Sequence, residues 1–378
     1  MAGRERVLGA FDPGGARSIG AVVSYDSILI RDHWFELTEA DWWRKGFGEP
    51  EQELAWMGDV LEESGLDWIR ISPSVSRTAR ERQRFERRSD GLYRIDPVEG
   101  REEFIVPPVP GGGNTRIGRD VKFDLQALPR SRADVDVLVS LEKPFDRGAF
   151  LAEGGHDTAE AARKGLDVAL YGAVHSPLYE LYNYLGYEGM MILIAEAPAL
   201  AGYMAERILC NAKGSIERMA AMEVDAVWIE ECFTDQISPA AFRGLNLPGV
   251  KELAEHVRKS GLLSVYYYCG DPCDRMDLIL EIGADALHFE ESKKGFRIDI
   301  SEVAARVDGC CVLFGNLDSV GILQDASAAC LEQEVKRQLA AGRRNGGRFV
   351  MSTGSPVTPQ TPVERVRLYT DLVHNLEG

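Results

Sequence analysis

The chain has 378 residues, a length that an α/β barrel with insertions commonly reaches as one domain. Its 43 lysines and arginines against 60 aspartates and glutamates give a formal net charge of −17, which disfavours binding to nucleic acid or to an anionic membrane surface. The seven cysteines are irregularly spaced and do not resemble a disulfide framework, and no long apolar run or leader is visible, so a cytoplasmic protein without a membrane span is expected.

Residues 1–130 read as an irregular N-terminal region with one strand candidate, WIRIS at 68–72. Beyond it, apolar strand candidates alternate with amphipathic helical stretches. The strand candidates are DVDVLVS at 134–140, DVALYGAV at 167–174, VDAVWIE at 224–230, LLSVYYY at 262–268, ADALHFE at 284–290, CCVLFG at 310–315 and RFVMS at 348–352. Sustained alternation of this kind predicts an α/β fold, a single (β/α)8 TIM-type barrel. We expect one domain over 1–378, with 1–130 as an N-terminal extension with insertions around the first strand and 131–378 as the regular barrel.

Polar side chains recur where the predicted strands end, which is where a barrel of this kind places its active site. They include His175, Ser176, Glu230, Glu231, Cys232, Tyr267, Tyr268, Cys269, His288, Glu290, Glu291, Asn316, Asp318 and Ser355. Because side chains alternate along a strand, one of Glu230 and Glu231 should face the barrel interior and the other a helix. By the same rule, His288 points inward if Glu290 does.

Five segments over roughly residues 165–375 resemble, in order, the landmarks of the uroporphyrinogen decarboxylase superfamily. They are VDAVWIEECFTDQISPAAF, YYYCGDP, GADALHFEE, VLFGNLDSVGIL and GGRFVMSTGSPVTPQTPVE. The resemblance implies a (β/α)8 barrel. It also implies one of two activities, porphyrinogen decarboxylation or zinc-dependent methyl transfer in which a corrinoid protein takes part.

Local motifs place the chain nearer to the methyltransferase branch. The Arg-Gln-Ala-Gly-Arg-Tyr segment of the decarboxylases is missing, and Arg17 in FDPGGARSIG is the one arginine in a comparable setting. The methyltransferase motif His-x-Cys-Gly corresponds here to Tyr267-Tyr268-Cys269-Gly270, and the later Gly-Cys to Gly354-Ser355.

The resemblance implies zinc, with Cys269 as one ligand. Because hydroxyl and carboxylate groups replace an imidazole and a thiolate, the site would be harder and better suited to an oxygen donor such as a methyl ether. The further ligand candidates are Glu290 or Glu291, with a third ligand from Glu231, His288 or Cys273.

The resulting expectation is a methyltransferase that moves a methyl group from a small, O-methylated donor to a corrinoid carried by a partner protein, with zinc as an aid. The expected catalytic residues are Glu231, Tyr267, Asn316 and Asp318, and the expected substrate-binding residues are His175, Tyr268, Ser355 and Arg17. The alternatives are metal-free decarboxylation of a tetrapyrrole or another carboxylic acid, and a binding protein without catalysis. Cys269 as a small buried side chain and His288 as a core residue are structural alternatives. The size of the barrel and the family both allow a homodimer.

Overall fold

A computed structural model describes residues 2–111, 128–293 and 295–376 of the chain. The strands in these residues are β1 (Trp68–Arg70), β2 (Arg84–Arg88), β3 (Gly91–Asp96), β4 (Arg101–Ile105), β5 (Ala169–His175), β6 (Ala226–Glu231), β7 (Leu263–Tyr268), β8 (Ala286–Phe289), β9 (Val312–Phe314) and β10 (Phe349–Val350). The α-helices are α1 (Gly3–Leu8), α2 (Asp26–Asp32), α3 (Trp34–Leu37), α4 (Pro50–Ser64), α5 (Arg77–Arg82), α6 (Arg132–Leu138), α7 (Arg147–Ala152), α8 (Asp157–Gly165), α9 (Pro177–Glu196), α10 (Pro198–Ala221), α11 (Pro239–Ala241), α12 (Leu247–Lys259), α13 (Met276–Glu281), α14 (Ile300–Val307), α15 (Ala328–Arg344) and α16 (Val363–Asn375). Among these described helices, none combines the length and the apolar character that crossing a membrane requires.

Seven strands form one parallel sheet in the order β1-β5-β6-β7-β8-β9-β10. Consecutive strands of this sheet are joined by helical crossovers, as parallel pairing requires. The outer face of the sheet carries aliphatic residues such as Val227, Ile229 and Leu287, which are buried in the main hydrophobic core against the helices. The predicted α/β class is confirmed.

A short backbone segment near the N-terminus closes the sheet into a barrel. Ala21 forms a parallel bridge with Met351, next to β10, and the amide of Val22 donates to the carbonyl of Met351 at 2.9 Å. On its other side, the carbonyl of Ala21 accepts from the amide of Asp67 at 2.9 Å, just before β1. The predicted (β/α)8 TIM-type barrel is therefore confirmed, with residues 20–22 in the place of its first strand.

The barrel interior is filled by aromatic rings. Trp68 stacks on Tyr171 with ring centres 4.2 Å apart, and the ring of Trp228 lies 5.1 Å from that of Tyr267. Phe314 completes the layer at 5.4 Å from Trp68. We call these five residues the aromatic floor. Because they fill the barrel, any reaction space lies above them, at the carboxyl ends of the strands, which we call the mouth.

The predicted strand DVDVLVS at 134–140 is wrong, because helix α6 covers most of it. Ser131 and Asp134 form a capping box: the amide of Asp134 donates to Ser131 Oγ at 3.3 Å, and the amide of Ser131 donates to Asp134 Oδ2 at 2.9 Å. Val137 is 86% exposed, so the valines do not form the buried face of a strand. The remaining strand candidates coincide with β1 and with β5 to β10.

Residues 84–105 form a separate antiparallel sheet, β2-β3-β4, which the sequence did not predict. Its strands are rich in arginine and glutamate and are mostly exposed or half-buried. They therefore lack the apolar alternation from which a strand is normally recognised.

Candidate active site

Two neighbouring glutamates at the end of β6 face opposite sides of the sheet. Trp228 belongs to the aromatic floor, so Glu230, two residues later, also points inward. Glu231 is fully buried in the barrel wall, where its carboxylate accepts hydrogen bonds from Ser176 Oγ at 2.6 Å and Asn246 Nδ2 at 2.5 Å. Glu231 therefore lies in the wall and Glu230 is the carboxylate that reaches the mouth, while the catalytic role of Glu231 stays a prediction.

Glu230 joins Tyr25 and His175 in a polar group at the mouth. Tyr25 OH donates to Glu230 Oε1 at 2.6 Å, and His175 Nε2 lies 3.5 Å from Glu230 Oε2. The other ring nitrogen of His175, Nδ1, pairs with Glu180 at the start of α9. We call these four residues the acid–base group.

The surroundings of the acid–base group determine which of its members carry protons. Burial alone would lower the pKa of His175, but the hydrogen bonds to Glu180 and Glu230 outweigh it and raise the pKa to about 9. Burial, together with the carboxylate of Glu230, raises the pKa of Tyr25 well above its ordinary value. At neutral pH the group therefore presents an imidazolium and a phenol. Such a group can donate a proton to an oxygen that leaves in a reaction.

Two residues at the mouth have left-handed backbone conformations, which residues other than glycine rarely adopt. Tyr25 has φ 54° and follows the closing segment of the barrel, and Phe233 has φ 65° and follows β6. The ring of Phe233 lies 4.4 Å from that of Tyr182, so an aromatic wall stands beside the acid–base group. Strained backbone often clusters at functional sites, and its presence at two strand ends supports a site at the mouth.

Cys269, at the end of β7, is buried at the mouth together with a second free cysteine, Cys232. The hydrogen bond between the two thiols and their burial raise the pKa of Cys232 well above its ordinary value. Cys232 Sγ lies 3.8 Å from Glu230 Oε1, which places the thiol pair beside the acid–base group. Cys273, the other candidate thiol, is exposed and apart from this pair.

Glu290 and Glu291 follow β8 and are both buried beside Lys293. Lys293 Nζ forms an ion pair with Glu290, lies 3.9 Å from Glu291 Oε1 and donates to Ser355 Oγ at 2.6 Å. Burial raises the pKa of Glu291 above its ordinary value. Lys293 therefore already offsets one of the two carboxylate charges at this position.

His288 and Tyr267 lie in the aromatic layer beneath the mouth, with ring centres 4.8 Å apart. His288 Nε2 donates to the carbonyl of Thr353 at 2.9 Å, and burial lowers the pKa of His288 to about 4, so its ring is neutral. Tyr267 OH donates to the carbonyl of Gly354 at 2.9 Å. Both side chains join the barrel interior to the loop after β10.

The residues expected to bind zinc do not converge. Over residues 2–111, 128–293 and 295–376, no three His, Cys, Asp or Glu side chains are placed to hold a metal ion. Cys269 is paired with Cys232, Glu290 with Lys293, and His288 with a backbone carbonyl. This donor set does not fit a preformed zinc site.

Asn316 and Asp318 shape the loops at the mouth. Asn316 Nδ2 donates to the carbonyl of Glu290 at 3.1 Å, which fixes the end of β8. Asp318 Oδ1 accepts from the amides of Val320 and Gly321 at 2.9 Å and thereby caps a π-helical turn. These contacts give both residues a structural role, and their catalytic role stays a prediction.

Tyr268 and Arg17, both predicted to bind substrate, lie away from the mouth. Tyr268 alternates with the inward-facing Tyr267 and is buried in the outer core between the sheet and the helices. Arg17 is exposed, and the amide of the preceding Ala16 donates to the carbonyl of Gly347, before the amino end of β10. The motif around Arg17 therefore lies at the opposite end of the barrel.

Four residues at the mouth were missed by sequence reasoning: Tyr25, Arg70, Glu180 and Lys293. Arg70 could have been found, because in WIRIS it shares a strand face with the inward-facing Trp68. It lines two cavities, of about 200 and 250 Å³, and the second of these also contains His175. For Tyr25, the sequence signal is the short apolar run at residues 21–23, which indicates a buried segment just before it.

Comparison with known proteins agrees with this architecture. A family model described as uroporphyrinogen decarboxylase (URO-D) matches residues 102–376. The uroporphyrinogen decarboxylase of Anaeromyxobacter sp. (strain Fw109-5) is 26% identical over 251 residues, which cover 65% of this chain and 68% of the relative.

Methyltransferases are similar to the chain at lower identity. The methylcobamide:CoM methyltransferase MtbA of Methanosarcina mazei is 21% identical over 178 residues, which cover 47% of this chain and 49% of the relative. A solved structure of a methyltransferase from Methanosarcina mazei is 18% identical, has a TM-score of 0.64 and covers 100% of both chains, which supports the same fold. Since the family match spans well over half of its length, the chain belongs to the uroporphyrinogen decarboxylase family.

Proposed function

We propose that this member of the family transfers a methyl group from a small O-methyl donor to a corrinoid carried by a partner protein. The acid–base group is the observation that carries the proposal. When the bond between oxygen and methyl carbon breaks, both electrons stay on the oxygen, which then needs a proton. The imidazolium of His175 and the phenol of Tyr25 hold protons on either side of Glu230, at the open end of the barrel.

Each residue of the acid–base group has a task in this reaction. Glu180 and Glu230 keep His175 protonated, since both carboxylates raise its pKa. The side chain of His175 is 34% exposed, so a substrate oxygen at the mouth can reach it. Phe233 and Tyr182 form an aromatic wall that limits the access of water to the reacting oxygen.

The corrinoid would supply a low-valent cobalt that accepts the methyl group. The mouth suits an acceptor carried on another protein, because Arg70 at the carboxyl end of β1 is exposed and the side chain of His175 at the end of β5 is partly exposed. The similarity to MtbA supports this class of reaction through membership of one family. Zinc is not required for any of these tasks, and its presence remains a prediction.

A second candidate is metal-free decarboxylation of a small carboxylic acid. Arg70 favours it, because this cation at the mouth could hold a carboxylate while the acid–base group protonates the carbon that loses carbon dioxide. The decarboxylases among the relatives also support it.

The two functions are separated by what each reaction consumes and releases. The protein is incubated with methoxylated aromatic acids and with aliphatic methyl ethers, each with and without chemically reduced cobalamin as the methyl acceptor. The proposal predicts a demethylated product that forms only with the reduced corrinoid. Carbon dioxide released at the same rate without corrinoid would overturn the proposal in favour of decarboxylation.

A further inference from the structure

A cavity of about 200 Å³ lies beside β1, next to the acid–base group. Lys45 and Arg70 line it, together with two carboxylates, Asp26 and Glu53, and the apolar side chains of Ile30, Trp56 and Met57. Arg70 also lines the neighbouring cavity that contains His175, so the two cavities share this residue. A ligand in the first cavity would therefore extend toward the acid–base group.

The carboxylates near these cations are occupied by other donors. Asp26 accepts from Tyr171 OH at 2.8 Å and from the amide of Arg70 at 2.7 Å. Glu53 accepts from the amides of Gly46 and Gly48 and, at 2.9 Å, from Trp56 Nε1. Neither carboxylate forms an ion pair with Lys45 or with the guanidinium of Arg70 in the described parts of the chain.

Lys45 is held in an unusual setting for an ammonium group. Its Nζ lies 5.5 Å from the ring centres of both Trp34 and Trp56. Burial lowers the pKa of Lys45 below its ordinary value, although the nearby Asp26 and Glu53 act in the opposite direction. An anion bound in the cavity would offset the cost of burying this charge.

We propose that Lys45 and Arg70 form a binding subsite for the carboxylate of a small organic acid. Three N–H groups on the ammonium and five on the guanidinium can donate to the carboxylate oxygens. The apolar side chains of Ile30, Trp56 and Met57 contact the hydrocarbon part of the acid. This apolar lining favours an organic acid over inorganic phosphate, which would leave those side chains without a partner.

The subsite adds a binding site for the methyl donor to the proposed function. It rests on that function for the reaction at the methoxy group. It makes the methyl donor an organic acid whose carboxylate is held by Lys45 and Arg70, and Arg70 also lines the cavity that contains His175. Binding itself needs neither a methyl group nor a corrinoid. The subsite can therefore be tested separately from turnover.

The test is a calorimetric titration of the full chain with benzoate, with its neutral isostere benzamide and with inorganic phosphate. Tryptophan fluorescence gives an independent reading, because Trp34 and Trp56 lie beside Lys45. The subsite predicts that benzoate binds at least about tenfold more tightly than benzamide or phosphate. This comparison uses the unmodified protein and does not depend on the folding of a variant.

Lys45→Met and Arg70→Met should each weaken benzoate binding about tenfold or more and leave benzamide unchanged. Arg44→Met is the matched control, because Arg44 neighbours Lys45 in sequence but its side chain contacts Asp41 and Gln52. Equal affinities for benzoate and benzamide, tighter binding of phosphate, or no binding at all would overturn the subsite. Benzoate binding without any methyl transfer would retain the subsite and reject the proposed reaction.

Discussion

His175 is the residue whose charge most directly controls the chemistry expected at the mouth. It lies between Glu180 and Glu230, and its pKa of about 9 is above the ordinary histidine value of 6.5. The imidazolium is therefore the main form below about pH 9 and is lost above it. The two carboxylates that stabilise the positive charge of His175 also fix the orientation of its ring.

This arrangement predicts the pH dependence of methyl transfer. The rate should be constant through neutral pH and should fall as the pH rises through about 9, where His175 loses its proton. His175→Asn should lower the rate about 100-fold and abolish this alkaline decline. The measurement is the initial rate of demethylation between pH 6 and 10. His256→Asn, on the outer helix α12, is the control.

The prediction fails in either of two ways. An unchanged alkaline decline in His175→Asn would assign the titration to another group. A rate equal to that of the unmodified protein would remove His175 from the reaction.

At the scale of single residues, the sequence predicted the positions of some side chains and not those of others. Alternation showed that Glu230 and Glu231 face opposite sides, but not which of them faces inward, because that depends on the position of Trp228 in the barrel. The resemblance located Cys269 at a strand end but gave no sign that Cys232 would pair with it. Such pairs depend on contacts between neighbouring strands, and these contacts cannot be read from a single sequence.

At the scale of elements, strand β6 is joined to the helices outside it by a buried carboxylate. Glu231 accepts hydrogen bonds from Ser176, before α9, from Asn246, before α12, and from Tyr266 on β7. Burial raises the pKa of Glu231 to about 7 despite these hydrogen bonds. The folded protein therefore binds this proton more tightly than the unfolded chain does, and its stability falls as the pH rises toward 7.

Glu231→Gln should remove this pH dependence. Between about pH 5 and pH 8, the substitution should become less destabilising, or more stabilising, by about 2 to 3 kcal/mol, since only the unmodified protein must then ionise a buried carboxyl. The free energy of unfolding in urea at both pH values measures the effect. Glu252→Gln, an exposed substitution on α12, is the control. The same effect of Glu231→Gln at both pH values would contradict the assignment.

The loop after β10 approaches β8 so closely that only glycine fits at position 354. A Cβ at Gly354 would lie 2.3 Å from the amide nitrogen of Glu291, and a backbone atom cannot move aside as a side chain can. Gly354→Ala should therefore destabilise the protein by about 1 to 3 kcal/mol. It should also displace Ser355 and Lys293, which are hydrogen-bonded to each other.

Thermal unfolding and demethylation rates of Gly354→Ala test this contact. Gly202→Ala, on helix α10 with no atom near the added Cβ, should leave the melting temperature unchanged or raise it. Equal melting temperatures for both variants would show that the loop yields without cost.

At the scale of the whole molecule, the regular part of the barrel was predictable because its strands are apolar runs separated by amphipathic helices. The N-terminal part was not. Residues 20–22 close the barrel through a single bridge and a few hydrogen bonds, and the apolar run at residues 21–23 is shorter than the pattern from which a strand is normally predicted. The exposed sheet of residues 84–105 lacks buried alternation, and the valines of 134–140 follow a helix cap that outweighs their strand preference.

This closure matters for function because it brings the N-terminal segment to the mouth. His175 and Glu230 are neighbours on the paired strands β5 and β6, and the closed barrel places Tyr25, which follows the closing segment, within hydrogen-bonding distance of Glu230. Sequence reasoning that treats the N-terminal third as an insertion therefore misses one member of the acid–base group.

In the proposed reaction, the carboxylate of Glu230 holds the two proton donors of methyl transfer, His175 and Tyr25, in place. The most direct measurement compares the unmodified protein with Glu230→Gln, using reduced cobalamin and a methoxylated aromatic acid, and follows the demethylated product by mass spectrometry. We expect a loss of about 100-fold or more in the rate of Glu230→Gln, with binding of the donor and the melting temperature little changed. An equal rate in Glu230→Gln, or product that forms without reduced cobalamin, would contradict it.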